Sequence, residues 1–76
     1  MAKTKVVMIL RGGMVEEVFS DKDTDVVVLD RDVDGVDEEE IQEVKHGRDF
    51  LRVRVECPEV QKKPIKVGAL INQVAV

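Results

Sequence analysis

Tryptophan and tyrosine are absent from this 76-residue chain, and Phe19 and Phe50 are its only aromatic residues. Platforms for stacking a run of bases or sugars are therefore nearly excluded, and any core must be built from Val, Ile and Leu. Cysteine occurs once, at Cys57, so no intrachain disulfide can form, whereas a secreted domain of this size normally carries several. Long apolar runs are missing too. No stretch approaches the roughly 18 apolar residues of a membrane span, and the short run after Lys5 is too brief for a secretory signal core. These gaps make the cytoplasm the expected compartment and exclude a membrane partner.

What is present suffices for one small domain, residues 1–76. Hydrophobic residues make up 43 % of the chain, nearly half of them valine, which separates it from disordered sequences. A domain this short buries only about 60 % of its unfolded surface. The formal charge of −4 hides an asymmetry: residues 16–43 hold thirteen acids and two bases, net −11, between flanks of +3 and +4. The middle of the chain is an acidic block with basic ends.

Lys5-Val6-Val7-Met8-Ile9-Leu10 reads as a first strand and Met14-Val15-Glu16-Glu17-Val18-Phe19 as a second. Gly12-Gly13 between them supplies the positive φ angles of a tight hairpin. After a turn at residues 20–24, Val26-Val27-Val28-Leu29 is apolar at every position, which suits a strand with cover on both faces. The expected start is thus a three-stranded meander. A helix follows, with Asp37 as N-cap, Glu40 as capping-box partner, Val36 and Ile41 as hydrophobic staple, His46 in the last turn and Gly47 as its stop. Phe50 to Glu56 alternates, with Leu51, Val53 and Val55 on one side and Arg52 and Arg54 on the other, where Glu16 or Glu17 would face them. The last segment carries two patterns: Val67, Leu70, Ile71 and Val74 repeat as in a helix, and Ile65, Val67, Ala69 and Ile71 alternate as in a strand. The helix is favoured. The expected fold class is α+β: a small, mainly antiparallel sheet, one short helix, and a C-terminal segment that forms a second helix on the favoured reading.

Asp30-Arg31-Asp32-Val33-Asp34-Gly35 matches the opening of a calcium loop, in which alternate carboxylates converge and glycine permits the bend. Asp30, Asp32, Asp34 and Glu40 are the candidate metal ligands, and Ca²⁺ is the candidate ion; no other cofactor is implied. The closing position of such a loop holds Ile41, with Glu40 one place early, and the incoming element is a strand. Acids at a strand end followed by a capped helix explain the same residues. Cys57 and His46 are single and eleven positions apart, too few for a zinc site, and no phosphate-binding glycine loop is present. The basic residues Arg52, Arg54, Lys62, Lys63 and Lys66 are too scattered to favour nucleic acid. No catalytic residue is assigned. The leading expectation is a non-enzymatic protein-interaction or accessory module, with Glu16, Glu17, Asp37, Glu38 and Glu39 as its acidic surface, or self-association into a homodimer through the strand Val6 to Leu10 or the fourth strand. A calcium-binding module is the alternative.

The string Gly12-Gly13-Met14-Val15-Glu16-Glu17-Val18-Phe19-Ser20-Asp21, followed by Val26 to Asp32, resembles a group of short bacterial proteins with the pattern G-G-x-V-x-x-V-x-S-D and then a strand ending in D-x-D. Such proteins are common in phages, plasmids and other mobile elements. The resemblance covers the first third to half of the chain and implies an accessory or regulatory role, with no catalytic residues.

Overall fold

The most apolar stretch of the chain takes an interior place in the sheet. In the computed structural model, which describes residues 3–74, the elements are β1 (Thr4–Leu10), β2 (Val18–Ser20), β3 (Thr24–Asp30), β4 (Ile41–His46), β5 (Asp49–Glu56), β6 (Val60–Lys62) and α1 (Pro64–Asn72). The order in the main sheet is β1-β3-β5-β4, and β2 pairs with β6 in a second, two-stranded sheet. The class is α+β. The main sheet is mixed, because β1 runs parallel to β3 while β5 is antiparallel to both β3 and β4.

The expected meander is not formed. Gly12 and Gly13 do have positive φ, +82° and +95°, but they open a crossover over residues 11–23, the dozen or more residues that a parallel connection requires. The register explains the choice of partner. Val6, Val7, Met8 and Ile9 of β1 lie opposite Val26, Val27, Val28 and Leu29 of β3, apolar against apolar on both faces. The segment after Gly13 carries the adjacent acids Glu16 and Glu17 and has no comparable match to offer.

The helix expected over residues 37–46 is also absent. Asp37 makes no side-chain cap; a single 3₁₀ turn, Glu38–Glu40, is followed directly by β4. Only Ile41 and Val44 would have given such a helix an apolar stripe, and three consecutive glutamates precede them. As a strand the same residues satisfy the outer edge of β5, with Glu43 opposite Arg52 and Val44 opposite Leu51. Gly47, with φ +63°, is the first residue of a two-residue hairpin turn rather than a helix stop, and His46 is paired with Asp49 at the hairpin end. Arg52 and Arg54 do not face Glu16 or Glu17; they lie across from Glu43 and from Asp30 and Ile41.

The C-terminal helix is present as α1. Pro64 sits in its first turn, where a missing N–H costs nothing. It packs against β2, and Lys66 places Nζ 4.4 Å from the centre of the Phe19 ring. No residue of α1 is buried. It is the one α-helix among the described residues.

The core is small. Leu29, Leu51 and Val53 are buried together, with Val27, Val44 and Val55 packed around them. Cross-strand register puts all six on one face, and the same face continues onto β1 through Val7 and Ile9. There the cover stops: Val53 is fully buried, whereas Val7 is 62 % exposed.

Candidate functional site

Asp30 ends β3 and is 95 % buried. Its Oδ1 accepts hydrogen bonds from the backbone N–H groups of Gly12 and Asp32, both at 2.9 Å. These two donors hold its carboxyl below the ordinary carboxylate value, with burial opposing and the Arg54 guanidinium, 3.9 Å from Oδ2, adding to the effect. One buried carboxylate thereby clamps the loop after β1 to the loop after β3. The Arg31 N–H donates to the Leu10 carbonyl at 2.8 Å, which extends the parallel register by one rung.

A cleft of about 520 Å³ opens beside this clamp. Its origin lies in the sheet. β3 pairs with β5 only at Val28, Leu29 and Asp30, so Phe50 to Arg52 of β5 have no neighbour on the β3 side. The chain leaves the sheet at Arg31 and passes along the gap, and the walls are Arg11, Arg31, Asp32, Val33, Asp34, Phe50, Leu51 and Arg52. Arg52 is held by Glu38, whose two carboxylate oxygens accept from Nη2 at 2.7 and 2.9 Å. Arg11 and Arg31 have no ion-pair partner among the described residues.

The four carboxylates of the calcium-loop reading are not brought together. Asp30 is turned inward onto backbone amides, Asp32 Oδ1 accepts from the Asp34 N–H at 3.3 Å, and Glu40 lies in the 3₁₀ turn. Among the described residues no three His, Cys, Asp or Glu side chains gather as an ion would require. The acidic residues belong to two different parts of the fold. Glu16 and Glu17 precede β2 in the small sheet, Asp37, Glu38 and Glu39 precede the edge strand β4, and Glu38 is occupied by Arg52. His46 and Cys57 flank opposite ends of β5, roughly 25 Å apart at the rise of an extended strand.

Folding brings four bases from the flanks onto acids of the middle block and leaves most of that block's carboxylates unpaired among the described residues. Lys3 pairs with Asp25, Lys62 with Asp23, Arg52 with Glu38 and Arg54 with Asp30, each a base from a flank on an acid of the middle block.

The second candidate surface is β1 itself. It is an edge strand of seven residues, its outer backbone groups have no neighbouring strand, and Val6, Val7 and Ile9 are exposed. Lysines, prolines or bulges that commonly protect such an edge are missing between Val6 and Leu10. The sequence offered Val6 to Leu10 or the fourth expected strand for self-pairing; the strand order puts the first at an edge and the other, β5, inside the sheet. Among the described residues no helix is long and apolar enough to cross a membrane. Comparison with protein-family models, curated proteins and solved structures gave no match.

Proposed function

We propose that this chain is a non-enzymatic interaction module of the cytoplasm that completes its own sheet by pairing with a second copy along β1. The observation that carries this reading is the open apolar edge of β1, with Val6, Val7 and Ile9 exposed, in a chain that leaves much apolar surface uncovered, Met14 and Ile65 included. The chain exposes 6387 Å², against about 4,650 Å² expected for a compact monomer of its mass. The excess of about 1,700 Å² exceeds the roughly 800 Å² that a subunit contributes to a standard interface. The Cα radius of gyration, 14.8 Å, is likewise above the roughly 11 Å of a compact domain of this length.

The sequence of β1 suits antiparallel pairing about a two-fold axis at Val7. Val7 then meets its own counterpart, Val6 meets Met8, Lys5 meets Ile9 and Thr4 meets Leu10, with no like charges opposed within the strand; the cations Lys3 and Arg11 meet just beyond its ends. The uncovered Val7 and Ile9 of each copy extend the apolar core face across the axis. The exposed, unpaired Cys57 thiol suits a reducing compartment. An accessory role, as the G-G-x-V-x-x-V-x-S-D likeness implies, fits a module whose activity is assembly.

Sedimentation velocity over a concentration series tests the reading. The expected result is a monomer–dimer equilibrium that Val7→Lys weakens about tenfold or more, by setting two like charges at the axis. Val7 is exposed in the single chain, so far-UV circular dichroism of the variant should be unchanged. A wild-type chain that stays monomeric at millimolar concentration would overturn the proposal, and so would a dimer indifferent to this substitution.

A further inference from the structure

The cleft beside the Asp30 clamp brings together three guanidinium groups from three places in the chain: Arg11 after β1, Arg31 after β3 and Arg52 within β5. Parallel register forces the first two together, since Leu10 lies opposite Asp30 and the next residues on each strand are Arg11 and Arg31. Cations converging on one cleft repel one another. Here Arg52 is paired with Glu38, whereas Arg11 and Arg31 form no ion pair among the described residues, although Asp32 and Asp34 line the same cleft. Guanidinium groups in such an arrangement match the oxygens of a phosphate, which two of them can bind by paired hydrogen bonds.

The remaining walls narrow the ligand class. Phe50 is 64 % exposed and offers an uncovered aromatic face to a planar ring. Asp32 and Asp34 present acceptors suited to sugar hydroxyls. Two carboxylates and a single aromatic ring disfavour a nucleic acid strand, which needs a continuous basic track and several stacking positions. The volume of about 520 Å³ falls within the roughly 300–1,000 Å³ of small-molecule sites. We propose that this cleft binds a small phosphorylated ligand of the nucleoside monophosphate class, with Arg11 and Arg31 on the phosphate and Phe50 stacked on the base.

Proton–nitrogen correlation spectra of labelled protein, titrated with adenosine monophosphate at fixed ionic strength, test the assignment. Saturable shifts are expected at residues 11–13, 31–34 and 50–52. Arg31→Gln should weaken binding of both adenosine monophosphate and inorganic phosphate. Phe50→Ala should weaken the nucleotide about tenfold, as loss of one base stack implies, and leave inorganic phosphate unchanged. Both side chains are exposed, so neither variant should alter the fold. Absence of saturable shifts at millimolar nucleotide would overturn the proposal. Equal binding by the Arg31 variant, or binding of a single-stranded oligonucleotide without the mononucleotide, would do the same. The site does not depend on pairing through β1, and the Val7→Lys chain should bind the nucleotide as the wild type does.

Discussion

At Asp30 both backbone donors address the same oxygen, Oδ1, so an asparagine there keeps an acceptor in place and removes only the charge. Asp30→Asn and Asp30→Ala therefore separate two effects. Alanine strands the Gly12 and Asp32 amides and is expected to cost about 3 kcal/mol in urea unfolding at neutral pH; asparagine should cost less. The sign of the pH effect follows from the direction of the shift. The folded carboxyl titrates below its ordinary value of 3.8, so its stabilisation is complete above that value and is lost as pH falls through the lower folded value. The gap in unfolding free energy between wild type and Asp30→Asn should close as pH falls below 3.8 and through the lowered folded value. A gap of constant size would show that the charge plays no part. The string from Asp30 to Gly35 marked the right loop from sequence alone, but local spacing cannot reveal that its first carboxylate is claimed by an amide eighteen residues upstream. Arg11 and Arg31 were hidden for the same reason: only the strand register makes them neighbours.

Glycines decide much at the scale of elements, and two of them should respond oppositely to alanine. Gly47 turns the β4–β5 hairpin with φ +63°, and nothing stands within 4 Å of where a Cβ would be. Gly47→Ala therefore acts through backbone strain alone and is expected to destabilise by about 1–2 kcal/mol. Gly68 lies inside α1 with open space around it and no positive φ. Gly68→Ala is expected to stabilise by about 0.5–1 kcal/mol, read as a rise in melting temperature. Gly47 also shows why β4 was not foreseen. A glycine with positive φ ends helices and turns hairpins alike, and Ile41 and Val44 have helical spacing. What decides between the two is the open edge of β5, which lies outside the window that periodicity can inspect. Strands β1, β3 and β5 were foreseen because continuous or alternating apolar residues are a local signal. Their pairing was not, because a parallel partner twenty residues away leaves no mark between the two.

For the molecule as a whole, an extended shape, a thin core and an uncovered β1 describe a chain whose stability should depend on its concentration. The melting temperature is expected to rise as wild-type protein is concentrated and to stay constant for Val7→Lys. The parallel pair of β2 and β6 has a separate consequence, in the order of assembly. Val18 lies against Val60, and the Lys63 N–H donates to the Ser20 carbonyl at 2.9 Å, so a strand near the beginning of the chain waits for one near its end. β3 in turn needs β5, and β5 is made after β4. Contacts so distant along the chain slow folding. A nascent chain emerging from the ribosome would hold β3 without its antiparallel partner until β5 is free, and β2 without its partner until residue 62 is free. That interval is when a chaperone would find the β5 side of β3 and the open edge of β2 unoccupied, in addition to the outer edge of β1, which stays open in the finished chain.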